Sequence, residues 1–160
     1  MNLSWLWVVV AILAITSVGM MIFRDWRWLI VLLALQYGGV LILALQHWPV
    51  GMSSVKVIAG WMSAAILGMT HSNYVEEQDK IPDILPQGRL FRLIAAIIVG
   101  IIVATGAPIV DIVMADAGLE VSAGGLLLIG MGLLHLSVTD RILQVTIGLM
   151  TVLAGFEILY

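Results

Sequence analysis

The chain has 160 residues, of which 62% are hydrophobic and 11% are charged, with a net charge of −3 and a mean hydropathy of +1.13. Globular domains average about 45–50% apolar and about 25% charged residues, so this composition excludes an ordinary soluble fold and indicates an integral membrane protein. The sequence contains no cysteine, which excludes disulfides, iron–sulfur clusters and thiol chemistry. The negative net charge argues against nucleic acid as a partner.

Six segments are long and apolar enough to cross a bilayer as helices, which need about 20 residues each. Charges or helix breakers separate them; Pro49 and Gly51, for example, divide the second segment from the third. The sequence therefore predicts an all-α, polytopic membrane protein, a single domain of about six transmembrane helices. The predicted helices span residues 3–23, 28–47, 51–71, 90–110, 120–137 and 140–160, with one longer polar loop at 72–89.

Basic residues are distributed unevenly among the loops of this six-helix arrangement. Six of the seven Lys and Arg residues fall on one side of it, in or beside the loops 24–27, 72–89 and 138–141. Because cytoplasmic loops carry an excess of Lys and Arg, these three loops are predicted to be cytoplasmic. Both chain termini are then predicted to lie outside.

Two helix pairs resemble each other in sequence. Residues 41–63 align without a gap with residues 129–151, and Leu45, His47 and Gly60 each match an identical residue 88 positions later. Because an offset of three helices inverts the second copy in the membrane, this match predicts two inverted three-helix repeats, as in many transporters. Chance similarity between apolar helices is the alternative explanation.

The sequence contains none of the motifs that mark soluble enzymes, such as a P-loop, a nucleophile elbow or the paired histidines of a zinc-protease helix. We therefore expect no catalytic site within this chain, no cofactor and no metal. His47, His71 and His135 lie near predicted helix ends, where we interpret them as polar anchors at the membrane interface rather than as haem ligands.

Ionisable side chains within a membrane span are energetically costly, which makes them candidate functional groups. Lys56, Asp111 and Glu157 all fall in the outer third of their predicted spans. They could contribute to an ion or proton path, with a Lys56–Glu157 pair if the third and sixth helices touch; alternatively, each reaches the interface as an anchor. Gln36 and Gln144 are neutral polar groups that could line such a path or hydrogen-bond between helices.

The last two helices carry a family resemblance. Within residues 132–160, two apolar segments are joined by the short loop 139–141, "TDR", and followed by the step "IGL" at 147–149, while the second helix contains "ALQ" at 34–36. In these features the chain resembles the small K-type subunit of bacterial complex I, the C subunit of Mrp-type sodium/proton antiporters and the E subunit of membrane-bound hydrogenases. Length and the number of helices fit the E-type subunit best.

This resemblance implies a non-catalytic integral subunit of a complex I-like, hydrogenase-like or Mrp-like ion-translocating assembly, with a structural role and a part in lining a proton path. Its partners would be the lipid bilayer and antiporter-like membrane subunits, in a prokaryotic inner or plasma membrane. The family's membrane glutamate follows the Gly-Leu step, where this chain has Met150, so that proton-relay carboxylate does not carry over.

Two other functions fit the same sequence. The first is a stand-alone small ion or solute transporter, which the repeat and Lys56 favour. The second is a membrane assembly factor, which would dock a cytoplasmic partner through the acidic segment 76–80, "EEQDK".

Overall fold

The computed structural model of the chain describes residues 4–23, 25–78, 88–114, 118–139 and 141–159. All six helices within these ranges are long and apolar enough to cross a membrane. The structure therefore confirms the predicted all-α, multi-pass membrane architecture. The helices are α1 (Ser4–Ile22), α2 (Trp26–Ala44), α3 (Val50–Gln78), α4 (Arg89–Val113), α5 (Leu119–Val138) and α6 (Ile142–Leu159).

Four helices, α1, α2, α5 and α6, form the centre of the bundle, and α3 and α4 lie at its outside. α5 packs against α6, α4 and α1, while α2 packs against α1, α3 and α6. Only 22% of the membrane-spanning part of α3 and 17% of that of α4 is buried, against 61% for α5. The outer two helices therefore present most of their apolar surface to the surroundings. The best-buried core side chains are Leu13, Leu33, Leu43, Leu128 and Ile147.

Helices α5 and α6 approach each other closely because glycines line both sides of their interface. Gly125 and Gly132 on α5 face Gly155 and Gly148 on α6. A Cβ atom added at Gly155 would lie 2.7 Å from the carbonyl oxygen of Gly125, and one added at Gly132 would lie 2.8 Å from the backbone nitrogen of Val152. Small residues allow such close backbone contact between membrane helices.

The third helix is longer than predicted. It continues through residues 72–78, which the sequence predicts to be the start of a loop. The helix extends because this segment contains Glu76, Glu77 and Gln78 and the first proline follows only at Pro82. The rest of that loop, 79–87, lies outside the described residues, as does Arg24. The predicted docking segment therefore lies partly within α3 and partly outside the described chain.

Prolines affect two helices differently. α2 ends at Ala44, earlier than predicted, and a turn follows it. Because a proline disfavours the helical conformation of the residue before it, Pro49 prevents Trp48 from continuing the helix. α4 passes through Pro108 without a break. Prolines are tolerated in membrane helices, where neighbouring groups satisfy the freed carbonyl.

The helix packing does not show the symmetry of an inverted repeat. Among the described residues, α1 packs against α5 whereas α4 does not contact α2, and α2 packs against α6 whereas α3 does not contact α5. In an inverted repeat, the contact of α1 with α5 would have a counterpart between α4 and α2, and the contact of α2 with α6 would have one between α5 and α3. The packing therefore gives no support to the repeat.

The alternating direction of the helices gives the bundle two ends. The last turns of α1 and α5 and the first turns of α2, α4 and α6 lie at one end of the bundle, toward which α3 also runs. We call it the basic end because it carries Arg27, Arg92 and Arg141. Lys56 and Glu157 lie at the opposite end, which we call the far end.

Candidate functional site

The five candidate path residues do not converge on one site. Lys56 and Glu157 meet at the far end, and Asp111 lies near the last turn of α4 at the same end. Gln36 is buried in the middle of α2, and Gln144 lines a cleft at the basic end. Of the five, the structure brings together only Lys56 and Glu157.

Lys56 and Glu157 meet through a backbone carbonyl. Lys56 Nζ donates a hydrogen bond to the carbonyl oxygen of Glu157 at 3.3 Å and lies 5.3 Å from the ring centre of Trp48. Glu157 is in the last turn of α6, where carbonyls lack partners within the helix and the helix dipole is negative. Lys56 therefore caps the end of α6 and holds it against α3. The third and sixth helices touch, which was the condition for a Lys56–Glu157 pair, and the acceptor is the backbone carbonyl of Glu157.

Lys56→Met should lower the free energy of unfolding by about 1 kcal/mol, because the α6 carbonyl loses its donor and Trp48 loses its cation. Glu157→Gln should change it by less than about 0.5 kcal/mol, because the backbone carbonyl remains in place. Thermal unfolding of both variants in detergent measures the difference. A larger loss for Glu157→Gln than for Lys56→Met would show that the carboxylate is the group that matters.

Asp111 connects the end of α4 to the start of α5. Its Oδ1 accepts a hydrogen bond from the backbone N–H of Gly118 at 2.9 Å. Gly118 has a φ of +99°, which side-chain-bearing residues rarely adopt, so this connection requires a glycine. This hydrogen bond explains why a side chain with an acceptor oxygen stands at position 111.

Asp111→Ala should lower the free energy of unfolding by about 1 kcal/mol, because the Gly118 N–H loses its acceptor. Asp111→Asn keeps a side-chain oxygen at the same place and should be close to neutral. Thermal unfolding of both variants separates the effect of the acceptor oxygen from the effect of the negative charge. Equal losses in both variants would mean that the negative charge, rather than the acceptor, is what the turn needs.

Gln36 is the most unusual of the five candidates because its amide lies entirely within the apolar core. The side chain is 0% exposed, and neither its oxygen nor its nitrogen has a hydrogen-bond partner in the described part of the chain. Leaving a buried polar group unpaired costs about 1–3 kcal/mol, and such groups are uncommon in folded proteins. The amide is therefore an unsatisfied polar group in the apolar core, and a water molecule that entered the core beside it would satisfy it.

A small cleft opens at the basic end of the bundle. Arg92 at the start of α4 donates from Nη1 to the carbonyl oxygen of Met21 at 2.8 Å, and the Thr139 hydroxyl donates to the side-chain oxygen of Gln144. The cleft has a volume of about 10 Å³, which is room for roughly one water molecule. It is therefore too small to enclose an organic substrate. Its lining residues are Met21, Arg92, His135, Val138, Thr139 and Gln144.

His135 is buried in this cleft, contrary to the prediction that it is an interfacial anchor. The side chain is 7% exposed, its Nε2 has no hydrogen-bond partner among the described residues, and it lies within electrostatic range of Arg92. Burial follows from the packing of α4 and α6 against α5. The apolar neighbours of His135 in "GLLHLSV" were the one sequence signal for it. His47 is exposed, as predicted, and the side chain of His71 lies outside the described residues.

Comparisons with known protein families, with curated proteins and with solved structures found no match to this chain. The resemblance to the K-, C- and E-type subunits therefore stays a prediction. Within the ranges that the structure describes, no group of three or more His, Cys, Asp or Glu side chains could hold a metal ion.

Proposed function

We propose that this chain is a non-catalytic membrane subunit of a larger ion-translocating assembly of the complex I-like, hydrogenase-like or Mrp-like kind. Its role is to pack against neighbouring membrane subunits and to support a polar path. The observation that carries this proposal is the dispersal of the candidate groups over both ends and the core of the bundle. A transporter that works alone needs a central site, typically at broken helices, whereas α4 is continuous through Pro108.

The surfaces of α3 and α4 also support a subunit role. These helices offer long apolar faces that suit helices of other subunits as well as lipid. Gly100 on α4 has no neighbouring atom within 4 Å of an added Cβ among the described residues, so another helix could approach closely there. The exposed isoleucines of α4 include Ile94, Ile98, Ile101, Ile102 and Ile109.

We further propose that the basic end faces the cytoplasm of a prokaryotic cell and that both termini lie outside. The guanidinium groups of Arg27, Arg92 and Arg141 support this orientation, since cytoplasmic ends of membrane helices are enriched in Lys and Arg. At the far end the structure describes the basic side chain of Lys56, which donates a hydrogen bond to a backbone carbonyl at the end of α6.

Purification of the tagged chain from its native membrane in mild detergent tests the subunit role. We expect recovery in a large stoichiometric complex with antiporter-like subunits, identified by mass spectrometry. An untagged strain controls for carry-over, and moving the tag from one terminus to the other controls for tag interference. Recovery alone, as a stable small particle that conducts ions after reconstitution into liposomes, would contradict the proposal and support a stand-alone transporter.

A further inference from the structure

The cleft at the basic end contains a buried imidazole whose hydrogen-bonding capacity is only partly used. His135 lies in the last turn of α5 and is 7% exposed, and its Nε2 has no hydrogen-bond partner in the described part of the chain. Burying such a nitrogen unpaired is costly. Because this side chain lines the cleft, a polar ligand inside the cleft would remove that cost.

Two neutral polar groups line the same cleft and set the chemistry of that ligand. The Thr139 hydroxyl donates its proton to the side-chain oxygen of Gln144. This bond leaves the lone pairs of the hydroxyl as acceptors and the amide N–H groups of Gln144 as donors. A ligand that bonds to both must therefore donate one hydrogen bond and accept another. Such a ligand also suits His135 in either tautomer, since the Nε2 of a neutral imidazole either donates or accepts.

The charges and the size of the cleft favour a small neutral ligand over an ion. No carboxylate is found among the described residues that line it, so a metal cation would have no negatively charged ligand there. Arg92 donates from Nη1 to the carbonyl oxygen of Met21 at 2.8 Å and is engaged with other groups of the chain, so it is not available to an anion. A volume of about 10 Å³ holds roughly one water molecule.

We propose that the cleft is a binding site for one ordered water molecule, held by His135 Nε2, the amide of Gln144 and the hydroxyl of Thr139. Three hydrogen bonds are typical of a buried water. The water satisfies the imidazole and joins the last turn of α5 to the first turn of α6 and to the loop between them. This site does not depend on the proposed function, because side chains of this chain form it.

A crystal structure of the purified full chain, at a resolution that shows ordered water, tests the site directly. We expect a water peak within about 2.7–3.2 Å of His135 Nε2, and we expect this peak to be lost in Gln144→Leu. The matched control is Gln46→Leu, which makes the same chemical change at an exposed position in the turn after α2, at the far end, and should keep the peak. Absence of the peak in the parent chain, or its persistence in Gln144→Leu, would overturn the proposal.

Unfolding of the same variants in detergent tests the site in solution, with His135→Leu introduced into each. In the parent chain the water satisfies Nε2, whereas in Gln144→Leu the water is lost and His135→Leu removes an unpaired nitrogen. His135→Leu should therefore raise the folding equilibrium constant by about fivefold more in Gln144→Leu than in the parent or in Gln46→Leu. Equal effects in all three chains would contradict a bound water. Thr139→Val takes the place of Gln144→Leu in both experiments if the latter does not fold.

Discussion

Gly155→Ala should lower the free energy of unfolding by about 1–3 kcal/mol, although it adds only one methyl group. The added Cβ would lie 2.7 Å from the carbonyl oxygen of Gly125 and 2.8 Å from the backbone nitrogen of Ile129. Both are backbone atoms of α5, so no side-chain rotation can relieve the overlap, and the two helices must move apart. Since this is the closest helix pair of the bundle, much of the core would loosen with it.

Gly100→Ala is the matched control for this experiment. It makes the same chemical change in the interior of a membrane helix, at a place where an added Cβ meets no described atom within 4 Å. Alanine has the higher helix propensity by up to about 1 kcal/mol, so this variant should be neutral or slightly stabilised. Unfolding followed by circular dichroism during titration with a denaturing detergent measures both. Equal effects at the two positions would contradict the close packing of α5 and α6.

Gln36→Leu should raise the free energy of unfolding of the purified chain by about 1–3 kcal/mol, because it replaces an unpaired buried amide by an apolar side chain of similar size. The same variant should lower ion translocation by the parent assembly if the amide supports a polar path, since leucine can hold neither water nor a proton carrier. Opposite changes in stability and activity are the usual mark of a functional site that is retained at a cost in stability.

Thr16→Val is the matched control for Gln36→Leu. Thr16 is also buried, at 2% exposure, but its hydroxyl is paired with the carbonyl oxygen of Leu13 at 3.0 Å. Removing a satisfied hydroxyl should give no gain in stability and no loss of activity. If Gln36→Leu lowered the stability of the purified chain instead, the amide would have a partner, and the interpretation of Gln36 as an unpaired group would be wrong.

The structure gives two of the charged candidate residues a structural role. Lys56 and Asp111 each satisfy a backbone group at the end of a helix, so a structural role accounts for both. Gln36 and His135 are buried with unpaired polar atoms among the described residues, as are the smaller side chains of Ser17, Ser53 and Ser122. A buried neutral group such as the Gln36 amide is therefore a better candidate for function in this chain than Lys56 or Asp111.

Sequence by itself determined the class of protein and the number of helices. A membrane span depends on about 20 neighbouring residues, because backbone groups in lipid must be satisfied within the helix. This information is local, because the apolar residues of each span follow one another in the sequence and can be counted there. Helix ends were less certain because several weak effects compete there, as the extension of α3 through 72–78 and the early end of α2 show.

Only the tertiary structure decided which helices touch and by which faces. The sequence allowed a Lys56–Glu157 pair only if the third and sixth helices touch, and both that contact and the accepting atom depend on how α3 and α6 pack against each other. His135 is buried, and Arg92 lies beside it, because α4 packs against α5, a contact that no pattern in either helix specifies. In a bilayer almost every side of these helices is apolar, so hydrophobicity does not select the buried face, and close packing at glycines such as Gly155 does.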